Sequence, residues 1–225
     1  MATTQTTNFK VVINNRNRLT TTKKMVEDLL ERDTKQIIII DNESTYPPLL
    51  EWYNTVPKEV EVLRFHNEGH LALFGTGLVN RIEEDWCFYT DSDIQLNPNM
   101  PKDYQQIMLE LGLKYGIDKI SLALDISDLP HWYMFKDQVI RNEGRWWLDE
   151  VEKNVYRADT DTTFSLNKKV DQFQSLRMAG DFTSKHMPWY LDLDNIDEEE
   201  QYYLDNCADN KLTQYTKQHK IKKEL

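Results

Sequence analysis

Cysteine is almost missing from this chain of 225 residues. Cys87 and Cys207 stand far apart, and no Cys-x-x-Cys is present. They build neither a disulfide framework nor a thiolate metal site, so a reducing compartment, the cytoplasm, is the simpler expectation. Glycine is scarce too, at seven residues, which argues against a flexible or low-complexity chain. Gly69, Gly75 and Gly77 do not form Gly-x-Gly-x-x-Gly, and no Gly-Lys-Ser/Thr loop occurs. Both gaps count against dinucleotide oxidoreductases and P-loop enzymes. Positive charge is in deficit, with a formal net charge of -11, which argues against a nucleic-acid partner, since that needs a cationic face. A phosphorylated small molecule stays admissible, because a metal ion can supply the charge locally. No apolar run reaches the length of a membrane span, and the polar, Thr-rich residues 1–8 lack the apolar core of a signal peptide.

What the chain does contain is 40% hydrophobic and 29% charged residues, ordinary for a globular domain. Phe9–Asn14 reads as a buried strand, and Thr20 or Thr21 opens a helix to about Arg32 with Met25, Val26, Leu29 and Leu30 on one face. The four isoleucines before Asp41 predict a strand covered on both faces, as in a parallel sheet. Pro47-Pro48 starts a short helix. Val60–Phe65 is a third strand, Leu71–Ile82 a helix, Trp86–Thr90 a fourth strand, Asp103–Lys114 an amphipathic helix and Lys119–Leu124 a fifth strand. Val155–Leu166 reads as one or two strands, Asp197–Asn206 as a helix, and Lys211–Leu225 as a charged tail. The β-α-β repetition predicts an open α/β sheet with ligands at the carboxyl ends of its strands.

Four polar clusters could carry chemistry. Asp91-Ser92-Asp93 places two carboxylates at i and i+2 just after an apolar strand, where both reach one hard divalent cation. The bland alternative is a solvated turn, and Asp159-Thr160-Asp161 and Asp192-Leu193-Asp194 have the same pattern without such a strand. Asp41-Asn42 can hydrogen-bond a pyrimidine edge or merely close its strand. His186 in Lys185–Trp189 lies in a packed loop and would complete a mixed nitrogen–oxygen shell that favours Mn²⁺. Polar residues in Arg157–Phe164 either line an acceptor pocket or form a solvated edge strand. Arg16, Arg64 and Arg177 could meet phosphates, and Trp132, Tyr133, Trp146 and Trp147 could stack on a sugar or pack as core or lid.

Taken in order, these pieces resemble the GT-A glycosyltransferases, family 2-like. Val11–Arg18 is similar to the family's first strand and turn, and Ile40–Thr45 to its nucleoside-binding element, with Asn42 in place of the second acid. Asp91-Ser92-Asp93 falls where the metal-binding Asp-x-Asp belongs. Asp161–Phe164 and His186–Tyr190 resemble a narrower group of small glycosyltransferases of bacteria and large algal viruses. The resemblance implies a Rossmann-like, mostly parallel α/β sheet flanked by helices, forming one domain over residues 9–207. Residues 9–125 would bind the nucleotide-sugar, residues 126–207 the acceptor, with a tail at 208–225. It implies transfer of a hexosyl group from a nucleoside diphosphate sugar, a UDP-sugar first, to a hydroxyl of a glycan or other acceptor, in the cytoplasm (the host's for a viral protein). Asp91, Asp93 and His186 would hold Mn²⁺ or Mg²⁺. Asn14, Arg16, Asp41, Asn42, Arg64, Asp91 and Ser92 would bind the donor. Asp161 or Asp181 would be the base. The rivals are a sugar-phosphate nucleotidyltransferase and a non-catalytic nucleotide-sugar-binding module.

Overall fold

The isoleucine run is a strand with every residue buried: β2 covers Ile37–Asn42. In the computed structural model, which describes residues 8–161, 163–169 and 174–207, β2 lies in parallel between β1 (Val11–Asn15) and β3 (Val60–Phe65). On the other side of β1 runs β4 (Cys87–Asp91), also parallel. Alternation along these strands divides the core in two. Val11, Ile13, Ile37, Ile39 and Phe88 face α1 (Thr20–Glu31) and α4 (Tyr104–Tyr115), meeting Met25, Leu29, Tyr104 and Met108. Val12, Ile38, Ile40, Cys87 and Tyr89 face the opposite layer, meeting Ala72, Leu73, Leu78 and Ile82. Burial on both faces explains why these segments lack the polar alternation of a solvated sheet.

The full order is β3-β2-β1-β4-β9-β6-β10-β8-β7. β6 (Lys119–Leu124) pairs in parallel with β10 (Gln174–His186), and β9 (Ser165–Asn167) runs antiparallel between β4 and β6. β8 (Val155–Asp159) and β7 (Glu150–Glu152) close that edge antiparallel, while β5 (Ile94–Leu96) pairs with the end of β10. The result is the expected α/β mixed sheet with a parallel core and flanking helices. From β1 the chain builds outward through β2 and β3, then crosses back to place β4 on the other side. The crevice between the carboxyl ends of β1 and β4 is therefore a topological switch point, the usual ligand position in such sheets. No helix among the described residues is long and apolar enough to cross a membrane.

Two expectations are corrected. Leu71–Ile82 is not one helix. It is a short α-helix, α3 (Ala72–Gly75), between 3-10 turns at Gly69–Leu71 and Leu78–Arg81. Gly77 breaks it in the left-handed region, at φ 70°, a conformation that glycine adopts without steric cost. Lys185 and His186 are not in a loop: they end β10, a 13-residue strand, and a 3-10 turn, Met187–Trp189, follows. Val155–Leu166, read as one or two strands, does contain β8 and the start of β9. Two further helices follow α3 and α4: α5 (Lys136–Gly144) and α6 (Glu198–Asn206); α2 is Pro47–Trp52, as Pro47-Pro48 implied. The tail from residue 208 lies outside the described residues.

Candidate active site

At the switch point, β1 ends on Asn14 and Asn15, β2 on Asp41 and Asn42, and β4 on Asp91. Register pairs Asn14 with Asp91 and Asn15 with Asp41, so alternation sends two sets of side chains to opposite faces. On one face, the Asn14 amide donates to Asp91 Oδ1 at 3.1 Å and to the Gly69 carbonyl at 3.1 Å. Asn42 donates to Asn14 Oδ1 at 2.6 Å and to the same Gly69 carbonyl at 2.9 Å, and its own oxygen accepts from Glu68 N. Asn42 is buried, so an amide is required here: it faces two acceptors and one donor. Its place in the sequence suggested contact with a base, whereas its hydrogen bonds hold the Glu68–Gly69 loop over the strand ends.

On the other face, Asp41 is 0% exposed. Its Oδ1 accepts from Tyr53 Oη at 3.2 Å and its Oδ2 from Arg64 Nε at 3.0 Å. The Tyr53 hydroxyl also accepts from Asn15, and burial, with the Asp41 charge beside it, pushes that phenol above its usual pKa. It therefore stays a neutral donor. Arg64 is more than half exposed, so its guanidinium reaches solvent while Asp41 fixes its stem. Asn17 ties the β1 and β2 loops together. Its side-chain oxygen accepts from Thr45 N at 2.7 Å and Tyr46 N at 3.0 Å, and its own N–H donates to Ser44 Oγ. It does so at φ 54°, where asparagine is among the few tolerated side chains.

After β4 the chain turns through Ser92, which is buried and donates its N–H to the Asn14 carbonyl, into Asp93. The β5–β10 pairing sets Ile94 against His186, and Met187 N donates to the Asp93 carbonyl at 2.9 Å. That register brings His186 Nε2 to 3.7 Å from Asp93 Oδ2. Asp93 Oδ1 and His186 Nδ1 are both buried with no hydrogen-bond partner, an arrangement that needs an explanation because native buried polar atoms are nearly always paired. Burial lowers the imidazole's proton affinity, partly offset by the Asp93 carboxylate, and a neutral imidazole is the form that ligates a metal. Arg16, just past β1, likewise buries an unpartnered Nε.

The other named residues separate. Asp161 is exposed just past β8, and its carboxylate and that of Glu143 both act on the His186 ring. Asp181 is exposed at the register break of β10, beside the Asn97 turn. Since Leu96 pairs with Ser184 and Ile94 with His186, Asp181 lies past the end of β5 away from Asp93. Arg177 is buried and pairs with Glu143 at 2.7 Å, so it meets a carboxylate of this chain. Trp146 lies against Arg145 and Arg177, Trp147 against Tyr156, and Tyr133 is core, while Trp132 is exposed. Among the described residues no three His, Cys, Asp or Glu side chains are placed to hold a metal ion together. Asp93 and His186 are drawn together, and Asp91 is turned to Asn14. Sequence reading missed Asn17, Tyr53 and Glu143. Asn17 carried a usable signal, an asparagine inside a polar loop between strand and helix; Glu143 sits on a helix whose period is too short to read.

The model for glycosyl transferase family 2 matches residues 10–135, more than half of the chain. The chain belongs to glycosyl transferase family 2. The matched segment contains β1 to β6, and with them the switch point and Asp91-Ser92-Asp93. The family is one of glycosyltransferases. No curated protein matches the sequence. Among solved structures, the chain is similar to the mannosyltransferase PcManGT of Pyrobaculum calidifontis, solved in complex with GDP-Man and Mn2+. The identity is 15% and the TM-score 0.46, over 72% of this chain and 44% of that one. It is also similar to S. aureus TarS 1-349, at 14% identity and TM-score 0.39, over 72% and 47%. The chain thus spans less than half the length of either structure.

Proposed function

We propose that this family 2 glycosyltransferase moves a sugar from a nucleoside diphosphate sugar, a UDP-sugar first, to a hydroxyl acceptor in glycan synthesis, with a divalent cation at Asp93 and His186. The observation that carries the reading is the pair of buried, unpartnered atoms, Asp93 Oδ1 and His186 Nδ1, at the switch point. A carboxylate oxygen and an imidazole nitrogen suit Mn²⁺. Two protein ligands are enough where substrate phosphates complete the shell, a common arrangement for Mg²⁺-like ions. Asp91, two residues before Asp93, is oriented by Asn14. A cation bound at Asp93 and His186 would neutralise charge growing on the leaving diphosphate.

The chain's own groups do the rest. Arg16 offers its unpartnered N–H to a phosphate. Arg64, held at its stem by Asp41, faces the nucleoside at the exposed edge. Asn42 and Asn14 fix the Glu68–Gly69 loop that borders it. Asp161 is the acceptor-facing carboxylate, because it and not Asp181 shares the neighbourhood of His186. UDP is placed first on the strength of the likeness of Ile40–Thr45 to the nucleoside-binding element of GT-A enzymes.

Incubation with a panel of UDP- and GDP-sugars and Mn²⁺ tests the reading. Release of the nucleoside diphosphate, faster with acceptor glycans present, is expected, with UDP-sugars the best donors. Pyrophosphate formation from a nucleoside triphosphate and a sugar phosphate would instead make the chain a nucleotidyltransferase. Thermal stabilisation by the donors with no release on any acceptor would make it a binding module.

A further inference from the structure

His186 ends β10, and among the described residues no hydrogen bond holds its ring. Nδ1 is unpartnered, and Nε2 stands 3.7 Å from Asp93 Oδ2, beyond hydrogen-bond reach. The imidazole packs on Trp189, edge to face, with 4.9 Å between ring centres and 74° between planes. Trp189 is itself buried. Its place is set by the 3-10 turn Met187–Trp189. That turn is tied at both ends: Met187 N donates to the Asp93 carbonyl, and Tyr190 N donates to the Met187 carbonyl at 2.9 Å.

One carboxylate from another element holds the residues on either side of this turn. Asp128 lies on the loop after β6, and that loop starts against β10, with Asp125 N donating to the Ser184 carbonyl at 2.7 Å. Asp128 Oδ2 pairs with Lys185 Nζ, and Asp128 Oδ1 accepts from Tyr190 Oη at 2.7 Å. The Lys185 ammonium also lies 4.9 Å from the centre of the Tyr190 ring. The three groups close on one another around His186, one residue before it and four after. Both partners hold the Asp128 carboxyl below its usual range, so it stays charged. The side chains of Lys185 and Asp128 are 33% and 51% exposed, and an ion pair so open to water adds little to folding stability. Its consequence is geometric. Neighbouring residues of a strand point to opposite faces, so pinning Lys185 on one face fixes the direction in which His186 leaves the other.

We infer that Asp128 is a positioning residue of the cation site: by holding Lys185 and Tyr190 it fixes the turn that lays the Trp189 ring against the His186 imidazole and keeps that imidazole turned to Asp93. This rests on the reading of Asp93 and His186 as cation ligands. A ligating histidine depends on the groups that orient its ring. Here packing does the orienting, and the packing lasts only while the turn keeps its place.

The test compares Mn²⁺ uptake in the presence of UDP with the melting temperature, in wild type, Asp128→Ala, Tyr190→Phe, His186→Ala and the double variant Asp128→Ala/His186→Ala. Asp128→Ala should weaken uptake about tenfold, as loss of an outer-shell support does at the low end. Tyr190→Phe keeps the ring, loses one of the two bonds to Asp128, and should show part of that loss. Both should melt close to wild type. Because Asp128 acts through His186, its removal should cost nothing further once His186 is alanine. Glu152→Gln breaks an exposed pair with Lys114 elsewhere on the surface and should leave uptake unchanged. Wild-type uptake in Asp128→Ala would overturn the inference. So would a further tenfold loss in the double variant, or an equal loss in Glu152→Gln, since either would make the effect one on the fold at large. If wild type itself takes up no Mn²⁺ with UDP, the cation reading fails first, and that failure is visible before any variant is compared.

Discussion

Replacing Asp93 with alanine should cut sugar transfer by about a hundredfold to a thousandfold while leaving the ligand-free protein as stable as wild type or slightly more so. The first half follows from electrostatics. A group that stabilises charge on the leaving diphosphate in an enclosed site contributes on the order of 10²–10³ in rate. The second half follows from the unpartnered atom. Asp93 Oδ1 is buried without a hydrogen bond, and an unsatisfied buried polar atom costs about 1–3 kcal/mol. The side chain is partly exposed, so the gain on removing it is smaller, about 1 kcal/mol at most, or ~2–4 °C in Tm for a chain of this size. The backbone bond from Met187 N to the Asp93 carbonyl survives the change. Parallel turnover and thermal-melt measurements decide it. A variant that is less stable and still active would make Asp93 a structural residue. The opposing signs are what separate a functional carboxylate from a structural one, since sites kept for activity commonly cost stability.

The second large effect is expected at Asn42. Asn42→Asp should destabilise the protein by about 3–5 kcal/mol at pH 8, because it leaves a buried charge without a counter-ion. The amide donates to Asn14 Oδ1 and to the Gly69 carbonyl. A carboxylate there would set oxygen against oxygen at both contacts, and Asn14 already serves the Asp91 carboxylate. Burial and acceptor neighbours raise the folded-state pKa of such a group above its unfolded value. The folded state then binds more protons, so the variant's stability falls as pH rises, and its deficit against wild type should narrow between pH 8 and pH 5. Thermal melts of both proteins across that range measure the difference. An equal deficit at every pH would show that position 42 does not meet two acceptors.

The parallel core was legible because its residues are extreme. Four isoleucines in a row, and an apolar Trp86–Thr90 run ending in acid, admit few structures other than buried strands. That placed Asp41, Asn42 and Asp91 at one sheet edge before any coordinates. The second half resisted because its strands carry polar residues for reasons that are not local. Ser121, Thr160 and Ser175 hydrogen-bond one another in the interior, so β6, β10 and the turn after β8 bury hydroxyls whose partners lie far off in sequence. β10 in particular mixes Arg177, Gly180, Asp181 and Lys185 with Leu176 and Met178, and no period of two survives its register break. His186 was found as a residue but not as the end of a strand. Its approach to Asp93 depends on the three-residue β5, too short to announce itself. The candidate site residues that sequence reading set at the ends of β1, β2 and β4 were those next to apolar strands. Those missed, Asn17 and Tyr53, act by joining one loop to another.

The most direct test of the account is Mn²⁺ binding itself, followed by the electron paramagnetic resonance signal of free Mn²⁺ as protein is added in the presence of UDP. Wild type should take up the ion when UDP is present. Asp93→Ala and His186→Ala should each weaken uptake by at least about tenfold, the lower end of what loss of a supporting group costs a metal site. Uptake unchanged in both variants would remove the Asp93–His186 pair from the donor site and contradict the central claim.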